Sequence, residues 1–453
     1  MTTIDDSVPV HLRGNGRPLT EERTIDDLVV HGSIPAELDG RYLRNGANPL
    51  TGTSSHPFFG DGMIHGIRLC DGRAAWYRNR YVHTPFIDDP SVDILDPAVM
   101  TDMTASKANT HVVGHAGKIL ALEEGHFPYV LDADLATVGP LDFGGALTGS
   151  FTAHPKICPE TGELLAFGYG VLEPYLRYLR VSADGRLVQT EEITVGGPTM
   201  MHDFNVTRNH VVFMDLPAVF DLERALLGEM PIGWDDDYPA RLGVMPRTGT
   251  DADVRWFDID PCYVFHPMNA YDTPDGTVVI DICNYPLMFE RDLLGPFGDG
   301  NMARLERWEL DPVARTASIT VIDDAANEFP RHRGSLTAKP YRYGYCASPA
   351  IEMGAGWPTV KHDLVTGTRQ VFDHGPGRAA GEPVFVGKEG RTEEDAGWLV
   401  TYVHDLGAGT AEFVVMDAED LDRGYVAQVP LPQRVPFGFH GNWVSDRSVP
   451  PSG

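Results

Sequence analysis

Four histidines of this 453-residue chain stand in similar surroundings, each beside aromatic or apolar residues and next to a residue that interrupts regular structure. They are His154, His202, His266 and His440, in segments 151–156, 201–204, 265–269 and 437–443. Imidazole binds iron, zinc, copper and nickel alike, so the four side chains together could hold one transition-metal ion. They are too far apart in sequence to meet on one helix or hairpin. The hypothesis therefore requires a fold that returns its chain repeatedly to one axis.

A site made only of imidazoles favours ferrous iron over zinc. Four histidines would complete the tetrahedral coordination of zinc and leave no position for a reactant. Ferrous iron has further coordination positions that O2 could take. The common iron site of two histidines and one carboxylate uses a His-x-Asp or His-x-Glu pair, and neither pair occurs in the chain.

The other histidines are weaker candidates for metal ligands, although the chain contains 17 in all. His65 is the strongest competitor because it follows a Gly-Asp-Gly turn. An intermediate group comprises His111, His115, His126 and His404. Polar or charged surroundings place the last group at the surface: His11, His31, His332, His362 and His374.

Three glutamates could fix the rings of metal-bound histidines. A histidine ligand usually has its second ring nitrogen held by a carboxylate or a carbonyl. Glu124, Glu328 and Glu382 each stand at the edge of an apolar run typical of a β-strand. The alternative for each is a solvated carboxylate at the end of a strand.

Short runs of β-branched and aromatic residues, bounded by Gly, Pro, Asp and Thr, recur along the chain at fairly even spacing. This pattern is typical of an all-β propeller or a large barrel. No linker or low-complexity segment divides the sequence, so we expect one domain over residues 1–453.

Residues 216–234 break the β pattern. Leu222, Leu226 and Leu227 have helical spacing and predict a short helix at one end of the fold. The apolar residues that follow, Met230, Ile232 and Trp234, could face a bilayer or the entrance for a hydrophobic substrate. They could equally belong to a cap packed on the strands.

Composition excludes several classes of function. The formal net charge of −29, without a cluster of Lys or Arg, argues against binding to nucleic acid and anionic lipids. The chain has no apolar run long enough to span a membrane, and its polar, acidic start does not resemble a signal peptide. Five scattered cysteines without a Cys-x-x-Cys motif indicate free buried thiols and a cytoplasmic location. Hydrolase, nucleotide-binding and zinc-protease signatures are also missing.

Ordered motifs along nearly the whole chain resemble those of the carotenoid cleavage oxygenase family. They include Leu-Arg-Asn-Gly, Phe-Gly-Asp-Gly-Met-Ile-His, Ala-Asn-Thr, Thr-Ala-His-Pro-Lys, Met-His-Asp-Phe, Phe-His-Pro-Met-Asn, Asn-Glu-Phe-Pro-Arg and Phe-His-Gly-Asn-Trp. The resemblance implies a seven-bladed β-propeller with loops and short helices capping one face. It also implies a non-heme Fe(II) ion.

The resemblance assigns a role to each candidate residue. His154, His202, His266 and His440 would be the iron ligands, and His65 would not. The carboxylates of Glu124, Glu328 and Glu382 would hold three of the four rings, and the methyl group of Thr110 would crowd an open iron position. The implied reaction uses O2 to cleave a C=C bond of a hydrophobic substrate into two carbonyls, with no side chain acting as acid or base.

Two substrate classes remain open at this point. One branch of the family cleaves carotenoids or apocarotenoids, and another cleaves stilbenoids and related phenylpropenoids. The second branch typically has a lysine directly before the first of the three glutamates, where it meets the substrate phenol, and a tyrosine upstream. Here Glu123 takes the lysine position, and no tyrosine occurs in residues 93–107. The sequence thus favours a long apolar polyene, with Tyr81, Tyr263 and Tyr345 as other possible phenol-binding residues.

Overall fold

Seven antiparallel sheets form the blades of a seven-bladed β-propeller. The computed structural model describes residues 8–92, 96–227, 229–290, 301–348 and 356–451. The strands of the N-terminal half are β1 (Arg23–Asp26), β2 (His31–Gly32), β3 (Gly40–Arg44), β4 (Met63–Cys70), β5 (Arg73–Tyr81), β6 (His111–His115), β7 (Lys118–Leu122), β8 (Tyr129–Leu131), β9 (Thr137–Pro140), β10 (Lys156–Ile157), β11 (Leu164–Tyr169), β12 (Leu176–Val181), β13 (Leu187–Ile193), β14 (Asn205–Val206), β15 (His210–Asp215), β16 (Ala218–Phe220), β17 (Ile232–Trp234), β18 (Arg241–Pro246) and β19 (Arg255–Asp258). The strands of the C-terminal half are β20 (Tyr263–Asp272), β21 (Val278–Tyr285), β22 (Arg304–Asp311), β23 (Thr316–Asp323), β24 (Glu328–His332), β25 (Tyr343–Ala347), β26 (Thr359–Asp363), β27 (Thr368–Phe372), β28 (Arg378–Ala380), β29 (Val384–Gly387), β30 (Gly397–Asp405), β31 (Thr410–Asp417), β32 (Tyr425–Pro430) and β33 (Gly441–Ser445).

The ring is closed by strands from both ends of the chain. Blade 1 has the order β1-β5-β4-β3-β33, and blade 7 has the order β2-β32-β31-β30-β28, with β29 also paired to β30. Blades 2 to 6 are built from β6–β9, β10–β13, β14-β15-β18-β19, β20–β23 and β24–β27. Because C-terminal β33 completes the first sheet and N-terminal β2 completes the last, neither blade is complete without the distant end of the chain.

The sequence pattern of each strand follows its place in a blade. The outer strand β13 alternates between half-buried and exposed positions, as expected where one face meets solvent. The inner strand β21 is buried at every position and is apolar apart from Asp281 and Asn284. The hydrophobic clusters lie between neighbouring sheets, so the core is a ring of interfaces between blades.

Helices are few and short among the described residues. The α-helices are α1 (Pro85–Asp88), α2 (Pro97–Met100) and α3 (Leu222–Leu226), and the 3-10 turns are Val10–Leu12, Gly14–Gly16, Asp251–Asp253, Gly334–Leu336 and Leu421–Arg423. None of these helices has the length and apolar character needed to cross a bilayer.

Residues 216–234 contain the predicted helix, but two strands flank it. The hairpin β16–β17 brackets α3, and the Asp221 side chain caps the helix by accepting a hydrogen bond from the Arg224 amide. Ile232 is buried, and Met230 and Trp234 pack against the core, as expected of a cap.

The surface assignment was wrong for two of the five histidines in polar surroundings. His362 and His374 are buried, whereas His31 is exposed and His11 and His332 lie half-buried. His362 lies in the buried strand β26, where Nε2 contacts Asn327 Oδ1 at 2.9 Å. The charged neighbour Lys361 is itself buried and paired with Asp395, so polar flanking residues did not indicate exposure. All five cysteines are free thiols, and Cys70 alone is not fully buried.

Candidate metal centre

Each of the four candidate histidines lies at or just before the edge strand that faces the centre of the ring. His154 and His202 precede β10 and β14, His266 lies in β20, and His440 immediately precedes β33. These strands stand at the edges of four different sheets. The propeller therefore brings together side chains that are distant in sequence, as the spacing of the histidines requires.

Two β-bulges direct side chains into the site. In β20 the register shifts between Val264 and Pro267, which leaves His266 within the bulge. In β24 it shifts between Glu328 and Arg331, where Phe329 has a φ of 50°. Pro330 lies within the bulge of β24, and Pro267 lies between two register shifts of β20, where irregular pairing tolerates a residue without an N–H donor. The His-Pro and Phe-Pro pairs thus mark the points where strand pairing is irregular and the inner edge of the blade turns toward the site.

The four imidazoles form one compact group. Their candidate ligand nitrogens all lie within 4.8 Å of one another. The ring centroid of His154 lies 4.4 Å from that of His202, 5.2 Å from that of His266 and 4.5 Å from that of His440. All four residues are buried. The Nε2 atoms of His202 and His266 are 3.2 Å apart, close to the ~3 Å expected of adjacent nitrogens on one ion at ~2.1 Å.

Three glutamates contact the outward Nδ1 atoms of three of these rings. Glu328 Oε2 lies 2.5 Å from His266 Nδ1, and Glu382 Oε1 lies 3.1 Å from His440 Nδ1. Glu124 Oε1 contacts His202 Nδ1. The carboxylates are held in turn, because Tyr169 donates to Glu124 and Tyr285 donates to Glu328. The sequence suggested these three carboxylates but not which ring each one holds.

The fourth ring has a different partner that the sequence analysis missed. His154 Nδ1 lies 3.6 Å from Asp203 Oδ2, and Asp203 is buried and paired with Lys156. Both residues belong to the motifs that supplied the ligands, since Lys156 follows His154 by two positions and Asp203 follows His202. Their positions next to His154 and His202 in the sequence could have indicated these two residues.

Electrostatics and hydrogen bonding fit a cation at the centre of the group. Burial and the neighbouring imidazoles hold the pKa of His154 and of His440 well below the usual value. Burial also disfavours a charged His266, but contact with Glu328 raises its pKa overall. An Nδ1–H that donates to a carboxylate leaves Nε2 unprotonated, so lone pairs of several rings face one another, and His154 Nε2 is buried without a hydrogen-bond partner. Facing lone pairs repel unless a cation lies between them, so this donor set suits a divalent transition metal.

Other predicted residues lie near the group or outside it. His65 is buried in β4 with its Nδ1 2.8 Å from the Tyr77 hydroxyl, so it is not one of the four. The carbonyl of Thr110 accepts the His440 amide at 3.1 Å, and its hydroxyl donates to Asn109. The role of its methyl group stays a prediction.

His111, which the sequence placed only among the intermediate candidates, lies beside the group as a fifth imidazole. The ring of His111 lies 5.1 Å from that of His440, and its Nδ1 lies 2.8 Å from the Ala153 carbonyl. Its place directly after Thr110 in the Ala-Asn-Thr motif was the one sequence signal.

Replacing Glu328 with glutamine should weaken metal binding. The amide cannot accept from His266, Tyr285 and the Phe329 amide at once, and one of its N–H groups must face a donor. We expect the affinity for Fe(II) to fall about 10- to 100-fold, as for other partners of histidine ligands. Anaerobic competition against a chelator measures this change.

Glu306→Gln is the matched control for Glu328→Gln. Glu306 is an equally buried glutamate whose carboxylate accepts from Asn284 and Trp308 rather than from a histidine of the group. Equal losses of iron affinity in the two variants would contradict a specific role for Glu328.

Fold and site together define a class: a seven-bladed propeller with a buried four-histidine group able to hold a metal. Residues 16–445 match the family profile described as "Retinal pigment epithelial membrane protein". The chain is 40% identical to the carotenoid cleavage oxygenase of Mycobacterium tuberculosis, covering 98% of this chain and 99% of that protein. It is 35% identical to carotenoid 9,10(9',10')-cleavage dioxygenase 1 of Arabidopsis thaliana, covering 98% and 92%. The chain belongs to the carotenoid cleavage oxygenase family, which is a family of oxidoreductases.

A solved structure of the family has a closely similar fold. The lignostilbene dioxygenase of Pseudomonas brassicacearum superposes with a TM-score of 0.86 at 28% identity, covering 97% of this chain and 99% of that one. The cobalt-substituted Synechocystis apocarotenoid oxygenase gives a TM-score of 0.84 at 26% identity, covering 95% and 97%. The seven-bladed propeller expected from the resemblance is confirmed.

Proposed function

We propose that this protein binds Fe(II) through His154, His202, His266 and His440 and uses O2 to cleave a C=C bond of a carotenoid or apocarotenoid. The observation that carries the proposal is the buried group of four imidazoles, whose ligand nitrogens lie within 4.8 Å of one another. Its all-nitrogen donor set is neutral and lacks a carboxylate, which favours iron with open positions over closed tetrahedral zinc. When bound, the ferrous ion would supply the O2-activating chemistry that side chains lack.

The residues of the chain would prepare the site rather than react. Glu124, Glu328 and Glu382 fix the outward nitrogens of three rings and so keep the inward nitrogens unprotonated. Thr110 would limit access beside His440, to which it is tied through its carbonyl. No step of the cleavage requires a side chain to take or give a proton.

Aromatic side chains next to the group support a hydrophobic substrate. The ring of Phe265 lies 4.9 Å from that of His202, and the ring of Phe329 lies 5.5 Å from that of His266. Phe58 packs 5.7 Å from Phe439, directly before His440. Apolar walls exclude water and would bind a polyene without specific polar contacts.

Carotenoids are favoured over stilbenoids by two observations. The relatives with 35–40% identity over nearly the whole chain are described as carotenoid-cleaving enzymes. In addition, Glu123 holds the position where the stilbenoid branch typically has a phenol-binding lysine, and this carboxylate contacts His126. A carboxylate would repel a phenolate there.

A lignostilbene-type substrate is the alternative, and the similarity to the Pseudomonas enzyme supports it. Of the three tyrosines considered, Tyr263 is best placed by position, because its ring lies 4.8 Å from that of Phe265; its hydroxyl donates to the Met200 carbonyl at 3.3 Å. Tyr81 uses its hydroxyl on Leu19, and Tyr345 packs against Phe385.

Incubation of the iron-loaded protein with β-apocarotenals and with resveratrol, side by side, separates the two substrate classes. We expect O2-dependent formation of shorter aldehydes from the apocarotenals, identified by mass. Cleavage of resveratrol alone would contradict the carotenoid assignment and leave the iron centre in place. Turnover by metal-free protein would contradict the mechanism itself.

We also propose that α3 makes a peripheral contact with a membrane. Leu222, Leu226 and Leu227 are 63%, 79% and 64% exposed, so the leucines predicted to form the helix point largely to solvent. Three exposed leucines on one short segment can enter the interfacial region of a bilayer, although a net charge of −29 disfavours anionic lipids.

Serine at all three leucine positions should reduce binding to neutral phosphatidylcholine vesicles. Since burial of one leucine contributes ~1.5–3 kcal/mol, we expect the partition coefficient to fall more than tenfold. Val313 and Val365, which are 87% and 73% exposed elsewhere, provide the control double substitution to serine. An equal fall in both variants, seen by co-sedimentation, would contradict a specific role for α3.

A further inference from the structure

A second group of buried polar side chains lies where blade 1 meets blade 7. It surrounds a small cavity of about 20 Å³. The polar residues that line the cavity are Tyr42 and Arg44 from β3, Tyr402 and His404 from β30, and Glu382. The first four have no part in the metal centre as described above.

Arg44 is a buried cation without a carboxylate partner in the described part of the chain. It is 5% exposed, and its Nε is buried without an acceptor. Burial lowers its pKa, and the ionisable groups that counter this effect are the hydroxyls of Tyr42, Tyr402 and Tyr77. A buried charge is costly unless it is paired, and a guanidinium stays protonated in proteins. Arg44 therefore needs a negative partner that these neutral hydroxyls do not supply.

Arg41, a second buried arginine of β3, has a carboxylate partner. Arg41 is also buried, and its guanidinium lies 3.2 Å from Asp446 and donates to the Val449 carbonyl at 2.8 Å. The chain thus supplies a carboxylate where one is needed. Of these two buried arginines, only Arg44 lacks a carboxylate partner in the described part of the chain.

Two tyrosine hydroxyls at the cavity also lack partners. Tyr42 and Tyr402 are 0% and 1% exposed, and neither hydroxyl has a hydrogen-bond partner among the described residues. Burial raises the pKa of Tyr402 well above its usual value, so its hydroxyl remains a neutral donor. At the cavity, each of these hydroxyls is free to donate to a bound water molecule or an ion.

The two other ionisable groups around the cavity do not neutralise Arg44. Burial and the charge of Arg44 lower the pKa of His404 to about 3, so this imidazole is uncharged. The Glu382 carboxylate is committed elsewhere, because its oxygens contact His440 Nδ1 at 3.1 Å and the Gly441 amide at 2.8 Å.

We propose that this cavity binds a monatomic anion, chloride under cellular conditions, between the Arg44 guanidinium and the hydroxyls of Tyr42 and Tyr402. A volume of about 20 Å³ has room for roughly one particle the size of a water molecule, which excludes a phosphate or a substrate carboxylate. A water molecule fits the space but carries no charge to balance the guanidinium. The anion would join β3 of blade 1 to β30 of blade 7 and so stabilise the junction that closes the ring.

Bromide provides a direct test, because its anomalous scattering distinguishes it from water. Crystals of the full chain grown with sodium bromide should show an anomalous peak in the cavity, within contact distance of Arg44 and Tyr402. Well-defined density at this place without an anomalous signal would identify water and overturn the proposal.

Thermal unfolding tests the same site in solution. At equal ionic strength, sodium chloride or bromide should raise the unfolding midpoint relative to sodium gluconate, because a ligand that binds only the folded chain stabilises it. Tyr402→Phe removes one donor to the anion and should weaken halide binding about tenfold. Since this hydroxyl has no protein partner, the substitution should not itself unfold the protein.

Tyr345→Phe is the matched control for Tyr402→Phe. Tyr345 is also fully buried with an unpartnered hydroxyl, but it lies outside the cavity. Its halide response should equal that of the wild type. The same midpoint in halide and gluconate for the wild type, or equal halide responses in both variants, would overturn the proposal.

Discussion

Replacing His266 with alanine should abolish iron binding and, with it, all O2-dependent cleavage. His266 is central to the group, because its Nε2 lies 3.2 Å from that of His202 and its ring centroid lies 4.6 Å from that of His440. The substitution removes one of the four proposed nitrogen ligands. It also leaves the buried Glu328 carboxylate without the ring that lies 2.5 Å from it. An uncompensated buried carboxylate favours a rearranged site, so the remaining three histidines should not retain the ion.

Iron content per chain after anaerobic reconstitution, measured by mass spectrometry, gives the result for His266→Ala. His65→Ala is the control, since His65 is equally buried but lies in β4, with its ring on Tyr77. We expect the control to keep its iron. Both variants should keep the circular dichroism of the wild type, so that loss of metal is not confused with loss of fold. Full iron occupancy in His266→Ala would contradict the assignment of the ligand.

Much of the candidate site could be predicted from the sequence because its residues stand in distinctive local motifs. Aromatic surroundings and adjacent breaks distinguish the four histidines, and those breaks are strand starts and a β-bulge on the inner edges of blades. Local sequence encodes such features directly. The seven-fold ring needed the family resemblance, because strand runs alone fitted a propeller or a barrel equally.

Which carboxylate holds which histidine could not be predicted, because the pairing depends on how the blades are arranged around the ring. Glu124 follows β7 in blade 2 but holds His202 at the start of blade 4. Asp203 is adjacent in sequence to His202, yet the imidazole near it belongs to His154. Each of these pairs joins residues of two different blades, so the spacing of residues within one strand cannot predict them.

Replacing Asp446 with asparagine should destabilise the propeller by about 3–5 kcal/mol, the usual effect of removing one partner from a buried ion pair. Asp446 directly follows β33, the C-terminal strand that pairs with β3 in blade 1. Its carboxylate contacts Arg41 at 3.2 Å and Arg68 at 2.6 Å. Asparagine keeps the shape of the side chain but leaves the fully buried Arg41 without a counter-charge.

Denaturant unfolding of the metal-free protein measures this loss of stability. Glu389→Gln is the control, because Glu389 pairs with Arg447, two residues after the end of β33, and the two side chains are 63% and 81% exposed. Exposed ion pairs contribute little, so the control should unfold like the wild type. Equal stability of the two variants would show that the Arg41–Asp446 pair does not hold the ring closed.

The effect of Asp446→Asn should reach the metal centre through the same strand. His440 immediately precedes β33, its carbonyl accepts the Asn45 amide at 2.9 Å, and its amide donates to Thr110 at 3.1 Å. Loosening the pairing of β33 with β3 therefore displaces one of the four proposed ligands and should weaken iron binding. A metal that binds only the folded chain stabilises it by mass action, so weaker binding by the variant should make its stability deficit larger with Fe(II) than without it. A deficit that iron leaves unchanged would mean that ring closure and the metal site are independent.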